Sequence, residues 1–384
     1  DVYKRQALNR DTDAILAALA ANAAGTFDEA LSLPPGIYHD AEVLRREVAE
    51  IFRREWLCLG RLAEIPNAGD YIARDLAGAP VFVIRQRDGD VKAFANVCRH
   101  RAASLLEGDG HVAKISCPYH SWTYELDGQL IGAPFMQETP GFDVKTQRLR
   151  ELRCDTWQGF VYVCQGDAPT LSDRLASLGD LVGDFRMGDY EPVYTTEETW
   201  NTNWKCLVEN YMDAYHVHRV HRDSFGKYGS SEEQTHLFDG EDSYSYHYVQ
   251  EETGDKSVSP HPDNTWIRDE NRHRTWLINV FPAHTMQLQP DMLWYLSMLP
   301  DGVDKVRVRW GVSIPGEILE GASDRQAVID EQMDLIHQVN GEDKPIIENV
   351  FRTTRSPDAI QGRLSYLERN VWQFGRYLAR NLCR

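Results

Sequence analysis

The chain has 384 residues, with 41 Lys or Arg and 59 Asp or Glu, which gives a formal net charge of −18. Its 42% hydrophobic and 26% charged residues are typical of a folded protein with a sizeable core rather than a disordered polyelectrolyte. The acidic charge argues against nucleic acid or an anionic membrane as a partner, since both need clustered Lys and Arg, and no apolar run approaches the roughly 20 residues of a bilayer-spanning helix.

Residues 1–55 are predicted to be mainly helical. An Ala-rich run at 14–24 indicates a helix interrupted at Asn22, and a Pro-Pro-Gly run at 34–36 ends this lead-in. Asp40 is a suitable N-cap for a second helix that continues to about Arg54. We therefore expect an N-terminal helical segment that packs on a later domain.

Short β-rich runs separated by turns occupy residues 56–165. The clearest runs are at 70–74, 80–85, 91–96 and 160–164, and the Asp-Gly pair at 88–89 predicts a hairpin turn. This pattern is typical of a small all-β domain.

Helices and strands are mixed from residue 166 to 384. We predict a helix at 203–217, strands at 243–250, 274–281, 292–299 and 305–313, and a long amphipathic helix at 323–342. The predicted fold class is therefore α+β, with the all-β domain inserted into or preceding an α+β domain that contains an antiparallel sheet.

Seven cysteines are too few for a disulfide scaffold in a chain of this length, and their number is odd. The start of the sequence also lacks the apolar core of a secretory signal peptide. We expect a reduced, cytoplasmic setting.

Four metal-binding side chains form the first candidate site. Cys98-Arg-His100 is followed, after sixteen residues, by Cys117-Pro-Tyr-His120. Two thiolates and two imidazoles can hold a tetrahedral zinc ion. They can also hold a [2Fe–2S] cluster of Rieske type, in which the thiolates bind one iron and the imidazoles bind the other. A third interpretation is that all four are ordinary buried side chains.

A second candidate site lies in the histidine-rich run at 209–221. His216 and His221 are five residues apart, which places them on different faces of an ideal helix. They can share a metal if the helix unwinds or ends near 217–220, although His-x₄-His alone is more often two surface histidines. Two imidazoles and one carboxylate on one face of Fe(II) form the donor set of non-haem oxygenases. His218 is expected to point elsewhere.

Both motifs together resemble the Rieske non-haem iron oxygenases, in their catalytic (α) subunit. The resemblance covers most of residues 40–350 and rests on these matches: Asn96-Val-Cys98-Arg-His100-Arg101, Cys117-Pro-Tyr-His120-Ser-Trp122-Thr-Tyr124 with Asp127-Gly128, and Glu209-Asn210-Tyr211 with Asp213, His216 and His221. Three positions depart from the family pattern. Ala102 and Ser121 stand where glycine is usual, for which we expect slight backbone adjustment, and Phe351 stands where glutamine is usual.

The resemblance implies a role for each residue. Cys98, His100, Cys117 and His120 would hold the [2Fe–2S] cluster, and His216, His221 and Asp343 would hold a mononuclear iron. Asp343 is inferred from the run Glu342-Asp343-Lys-Pro-Ile-Ile-Glu348; the alternative is a helix N-cap ahead of Pro345. Asp213 would link His216 to His120 of a neighbouring subunit, which implies a head-to-tail ring, usually a homotrimer.

The implied fold is a Rieske domain at 56–165 and a helix-grip catalytic domain with a curved antiparallel sheet at 166–384. The implied reaction uses O₂ to hydroxylate or oxidatively demethylate a small organic substrate at Fe(II). Because the sequence has no Gly-x-Gly-x-x-Gly after a strand, NAD(P)H would act only through a separate reductase, with or without a ferredoxin. Two alternatives are an electron-transfer Rieske protein with a vestigial second site and a zinc-stabilised binding module.

The substrate class stays open between an aromatic acid and a quaternary ammonium compound. Aromatic residues are frequent between 200 and 295 and could stack on an arene or surround a cation, although each is more often a core residue. They are Trp200, Trp204, Tyr211, Tyr215, Tyr244, Tyr246, Tyr248, Trp266, Trp276, Trp294 and Tyr295. His236, His247 and His284 are further candidates for substrate contact. Chain length favours the α-only branch of the family, with its monooxygenases and demethylases, over arene dioxygenases that carry a β subunit.

Overall fold

The computed structural model describes residues 11–225, 234–250 and 266–383. The chain divides into two compact units. One unit is Phe52–Asp173, and the other combines Asp1–Ile51 with Arg174–Arg384.

The N-terminal segment contains two helices, α1 (Thr12–Ala24) and α2 (Ala41–Glu47), and α2 continues as a π-helical turn at Val48–Phe52. Asp40 caps α2, because its side chain accepts hydrogen bonds from the backbone N–H groups of Glu42 and Val43. The expected interruption at Asn22 is wrong. Asn22 lies inside α1, and its amide group satisfies the backbone of Leu31 instead of breaking the helix.

The Phe52–Asp173 unit is built from antiparallel strands. They are β1 (Trp56–Arg61), β2 (Asp70–Asp75), β3 (Pro80–Arg85), β4 (Val91–Ala95), β5 (Asp109–His111), β6 (Ile115–Ser116), β7 (Thr123–Tyr124), β8 (Leu130–Gly132), β9 (Glu151–Trp157) and β10 (Phe160–Cys164). Seven strands form one sheet in the order β1-β10-β9-β4-β3-β2-β5, and β6-β7-β8 form a smaller sheet. The predicted turn at 88–89 joins β3 to β4, where Gly89 has a φ of 94° that suits glycine.

The second unit contains a seven-stranded antiparallel sheet with helices. After α3 (Leu171–Val182) come β11 (Tyr190–Trp200), α4 (Trp204–Met212), α5 (Val217–Val220), β12 (Thr235–Leu237), β13 (Tyr244–Gln250), β14 (Arg274–Val280), β15 (His284–Leu288), β16 (Leu293–Pro300), β17 (Val306–Pro315), α6 (Gly316–Gly321), α7 (Arg325–Thr353) and α8 (Arg369–Leu382). The strand order is β11-β17-β16-β15-β14-β13-β12. The predicted α+β class is confirmed.

Two helix predictions need correction. The helix predicted at 203–217 ends at Met212, and α5 is a separate single turn. The helix predicted at 323–342 continues to Thr353 with Pro345 inside it. Proline removes the hydrogen bond to the carbonyl of Gly341, four residues earlier, but tertiary packing of α7 against α4 and β11 outweighs that local loss.

Helix α4 lies just before the two candidate histidine ligands in the chain and packs on the sheet. It contacts β14, β16 and α7, and Asn203 caps its start by accepting from the Lys205 backbone N–H. A buried ion pair fixes α4 to the N-terminal segment: Lys205 Nζ lies 2.7 Å from Glu47 Oε1, and their side chains are 1% and 0% exposed. Trp204 Nε1–H donates to the other carboxylate oxygen of Glu47 at 2.8 Å.

No helix within the described ranges is long and apolar enough to cross a bilayer.

Candidate metal centres and active site

The two cysteine–histidine motifs form loops with the same backbone pattern. In the first, the Cys98 N–H donates to Ala103 O at 2.9 Å and the Ala102 N–H donates to Cys98 O at 3.1 Å. In the second, the Cys117 N–H donates to Trp122 O at 2.8 Å and the Ser121 N–H donates to Cys117 O at 3.0 Å. The sequence therefore builds one loop geometry twice, each time with a cysteine at its start.

The fifth residue of each loop has a left-handed backbone. The φ angles are 60° at Ala102 and 58° at Ser121. This is the conformation that glycine adopts without steric penalty, which explains why glycine is usual at these positions. A residue with a Cβ occupies this left-handed conformation at both positions, so both positions carry local strain.

The two loops bring the predicted cluster residues close together. The ring centroids of His100 and His120 are 4.6 Å apart, and His100 stacks on Trp122 at 4.8 Å. Both cysteines are 3% exposed and lie in the same hydrophobic core. Tyr124 Oη lies 3.3 Å from Cys98 Sγ and also accepts the Arg99 N–H at 3.1 Å.

The spread of these four donors fits a two-metal cluster better than a single zinc ion. Zinc bonds of about 2.0–2.3 Å hold four tetrahedral donors within about 4 Å of one another. Within residues 11–225, 234–250 and 266–383, three or more donors converge within 4.8 Å only at His216, His221 and Asp343. A [2Fe–2S] cluster separates the thiolate pair from the imidazole pair. His120 Nδ1 is also buried without a hydrogen-bond partner in the described structure, as expected of a metal ligand.

His216, His221 and Asp343 converge in the other unit. Helix α4 ends at Met212, so the chain is already unwound when it reaches His216, which precedes α5, and His221 directly follows α5. The helix therefore ends before both histidines, whereas the sequence pattern places the unwinding or the helix end near 217–220. Asp343 lies inside α7, which is capped by Asp324, so the alternative of Asp343 as a helix N-cap is wrong.

The three donor atoms are spaced to share an ion. His216 Nε2 and His221 Nε2 are 3.2 Å apart, and Asp343 Oδ1 lies 3.5 Å from the first and 3.2 Å from the second. Donors about 2.1 Å from one ion and at right angles to one another lie about 3 Å apart. The observed separations of 3.2–3.5 Å therefore fit three ligands of one metal ion.

Carboxylates dominate the electrostatics of this site. Burial lowers the pKa of His216, but hydrogen bonds and charges from Asp213 and Asp343 outweigh burial and raise it to about 10. Burial raises the pKa of Asp343, but hydrogen bonds and charges from the two histidines outweigh burial and lower the pKa of Asp343 to about 2. Asp213 Oδ2 lies 3.4 Å from His216 Nδ1. Asn210 donates to Asp343 Oδ1 at 3.3 Å.

Sequence reasoning assigned no role to Glu342. Its Oε2 lies 2.8 Å from His221 Nδ1 and accepts the hydroxyl of Ser224 at 2.6 Å. The signal was its position next to Asp343, but a run of two acids does not show which one faces a histidine from another element.

A cavity of about 520 Å³ opens beside the three donors. Tyr211, Phe225 and Trp294 supply its aromatic rings, while the carboxylates that line it are Asp213, Asp291, Glu331 and Asp343. The described lining residues include no Lys or Arg. The lining is therefore both aromatic and acidic.

Most of the aromatic candidates lie elsewhere. Among the described lining residues, Tyr211 and Trp294 are the two that the sequence singled out; Trp200, Trp204 and Trp276 are core residues. His247 lines the cavity and lies with its Nδ1 3.0 Å from Asn370 Oδ1. His236 and His284 are not among the lining residues, and His218 lines the cavity without joining the three donors.

Comparison with known families agrees with this architecture. Residues 187–383 match the model of the ring hydroxylating alpha subunit (catalytic domain), and residues 55–147 match the Rieske [2Fe-2S] domain. The chain belongs to the ring-hydroxylating alpha subunits. The resemblance drawn from the motifs is thereby confirmed.

Several curated proteins are similar to this ring-hydroxylating alpha subunit. The glycine betaine monooxygenase oxygenase subunit of Chromohalobacter salexigens is 37% identical over 194 residues, which are 50% of this chain and 43% of that protein. The carnitine monooxygenase oxygenase subunit of Escherichia coli K12 is 33% identical over 197 residues, which are 50% of this chain and 53% of that protein. The matched region thus spans about half the length of these relatives.

Solved structures share the fold over nearly the whole chain. A quaternary ammonium Rieske monooxygenase in complex with L-carnitine has a TM-score of 0.77 at 23% identity, covering 94% of this chain and 97% of that one. Naphthalene 1,2-dioxygenase from Rhodococcus sp. has a TM-score of 0.79 at 19% identity, and the match covers 97% of this chain and 98% of that one.

Proposed function

We propose that the chain is the oxygenase component of a Rieske-type system that hydroxylates or oxidatively demethylates a small organic cation, most favourably a quaternary ammonium compound. The observation that carries the proposal is the convergence of His216, His221 and Asp343 beside a cavity with an acidic and aromatic lining. The glycine betaine and carnitine monooxygenase relatives support the same substrate class.

Each group of residues has a separate task. Cys98, Cys117, His100 and His120 would hold the cluster, and the triad of His216, His221 and Asp343 would hold Fe(II). When bound, the cluster supplies electrons and the mononuclear iron supplies the site at which O₂ is reduced beside the substrate.

The cavity residues would bind and orient the substrate. The faces of Trp294 and Tyr211, whose ring centroids are 5.3 Å apart, can attract a trimethylammonium group by cation–π interaction. Asp291 and Glu331, the lining carboxylates that are not part of the iron site, add a favourable field for positive charge.

We further propose that Asp213 connects the metal centres of neighbouring subunits in a homotrimer. Its carboxylate faces His216 while 21% of its side chain stays exposed. Exposed aromatic residues accompany both partners of this contact: Tyr119 precedes His120 and is 56% exposed, and Tyr215 precedes His216 and is 49% exposed. A separate reductase, with or without a ferredoxin, would supply electrons originating from NAD(P)H.

The test compares a cation with its neutral isostere. Purified protein is titrated by calorimetry with choline and with 3,3-dimethylbutanol, which replaces the nitrogen by carbon, and with benzoate as an aromatic acid. We expect binding of the cation, at least tenfold weaker binding of the isostere and no binding of benzoate. Turnover with a surrogate reductase should release formaldehyde if methyl groups are oxidised. Preference for benzoate would overturn the proposed substrate class.

Trp294 offers a matched pair of variants for the same titration. Trp294→Phe keeps an aromatic face, whereas Trp294→Leu keeps only apolar bulk. Loss of a cation–π contact of about 1–2 kcal/mol would weaken cation binding roughly 5- to 30-fold in the leucine variant. Equal affinities for the two variants would exclude this ring from cation binding.

A further inference from the structure

Both ring nitrogens of His221 face specific partners. Nε2 points to the shared donor position, 3.2 Å from Asp343 Oδ1, while Nδ1 lies 2.8 Å from Glu342 Oε2. We propose that Glu342 is a positioning residue of the iron site, which holds His221 in the tautomer and orientation that bind Fe(II). This inference rests on the proposed function.

The Glu342 carboxylate is itself fixed at both oxygens. Oε2 accepts the Ser224 hydroxyl at 2.6 Å, and Oε1 accepts the Gln338 side-chain amide at 2.9 Å. Gln338 lies one helical turn earlier on α7, and Ser224 is 1% exposed. Because the carboxylate has donors on two sides, it presents Oε2 to His221 in one position.

The tautomer follows from the chemistry of the pair. A neutral imidazole carries one N–H, and an ionised carboxylate can only accept. In the neutral imidazole, a proton on Nδ1 donates to Glu342 Oε2 and leaves the lone pair of Nε2 for a metal. Such a carboxylate partner fixes the orientation of the ligand ring, and its removal typically weakens metal binding 10- to 100-fold.

The two acids beside the histidines are not equivalent. Asp213 lies 3.4 Å from His216 Nδ1, which is longer than a good hydrogen bond, and its other oxygen accepts the Tyr215 backbone N–H at 2.6 Å. Glu342 makes the shorter contact, to the more deeply buried histidine: the His221 side chain is 3% exposed and that of His216 is 17%. Glu342 therefore supports metal retention more strongly than Asp213 does.

The experiment measures Fe(II) affinity directly, without turnover. Wild type, Glu342→Ala, Glu342→Gln and the control Asp334→Asn are purified with the cluster intact, and the mononuclear site is titrated with Fe(II) against a competing chelator under anaerobic conditions. Asp334 is an exposed acid on the same helix. The visible spectrum of the cluster checks that each variant is folded.

We expect a 10- to 100-fold higher Kd for Glu342→Ala and an unchanged Kd for Asp334→Asn. Glu342→Gln should raise the Kd only several-fold, because the amide oxygen of Gln still accepts a hydrogen bond from the His221 Nδ1–H but carries no charge. A wild-type Kd in both Glu342 variants overturns the positioning role. If Glu342→Ala does not fold, an unchanged Kd in Glu342→Gln is sufficient to overturn it. Failure of the wild type to bind Fe(II) would contradict the proposed function itself.

Discussion

The strained fifth residue of each cysteine–histidine loop gives a prediction specific to this chain. Ala102→Gly and Ser121→Gly should each stabilise the Phe52–Asp173 unit, because both positions have left-handed backbones at φ of 60° and 58°. Both side chains are exposed, so their removal loses little packing. Substitution with glycine usually destabilises a protein, so an increase in stability would be specific evidence for the left-handed backbone at these two positions.

The magnitude follows from two opposing terms. A non-glycine residue in the left-handed region costs about 1–2 kcal/mol. Glycine removes this strain but makes the unfolded chain more flexible, which costs roughly 0.5–1 kcal/mol. The net gain is about 0.5–1 kcal/mol for each site. Because the sites lie in separate loops, the double variant should gain about 1–2 kcal/mol and raise the Tm of cluster loss by roughly 5 °C.

The assay is the loss of visible cluster absorption on anaerobic heating. Ala103→Gly is the matched control, since it makes the same change at the next residue, which is not left-handed and packs on the core. The control should lower the Tm. If Ala102→Gly and Ser121→Gly lower the Tm as the control does, the left-handed assignment and the strain argument are wrong.

Three other predictions follow from the catalytic unit. Lys205→Met should reduce the free energy of unfolding by about 3–5 kcal/mol, because it leaves the Glu47 carboxylate charged and buried. The double variant Lys205→Met/Glu47→Leu should regain much of this lost stability. Chemical denaturation measures both variants, and an unchanged denaturation midpoint for Lys205→Met would exclude a stabilising ion pair. Burial lowers the pKa of His247 to about 4, so only the unfolded state gains a proton between about pH 6.5 and 4, and stability falls as the pH falls through this window. His247→Gln should reduce this dependence of stability on pH, whereas substitution of the exposed His236 by Gln should not. Thermal melts at several pH values measure the effect. The same change of Tm with pH in wild type and His247→Gln would contradict the role of His247. Asp213→Asn should slow reduction of the mononuclear site from the cluster in single-turnover measurements while both metals are retained, and a wild-type rate would remove its proposed role.

The sequence predicted those features that depend on local pattern. Eight strands of the two seven-stranded sheets were visible as short β-rich runs, and Asp40 was recognisable as a helix cap. The four cysteine and histidine residues of the first motif were singled out as candidate ligands because their spacing is unusual. Such features are encoded by neighbouring residues, so they need no knowledge of tertiary contacts.

The features that the sequence did not predict depend on contacts between distant segments. Pro345 indicates a helix end locally, yet α7 continues because its other residues pack along its length. Glu342 meets His221 across 121 positions of sequence, so its role appears only once α7 lies beside α5. The cavity lining likewise includes Tyr211 and Trp294, which look like the other aromatic residues of this region in sequence.

The central claim is that one chain holds a two-iron cluster and a separate mononuclear iron. Iron and acid-labile sulfide per chain, measured on anaerobically purified protein reconstituted with Fe(II), tests this most directly. We expect about three irons and two sulfides for each chain, falling to about two irons and two sulfides in His216→Ala. Zinc without sulfide, or two irons in wild type and variant alike, would contradict it.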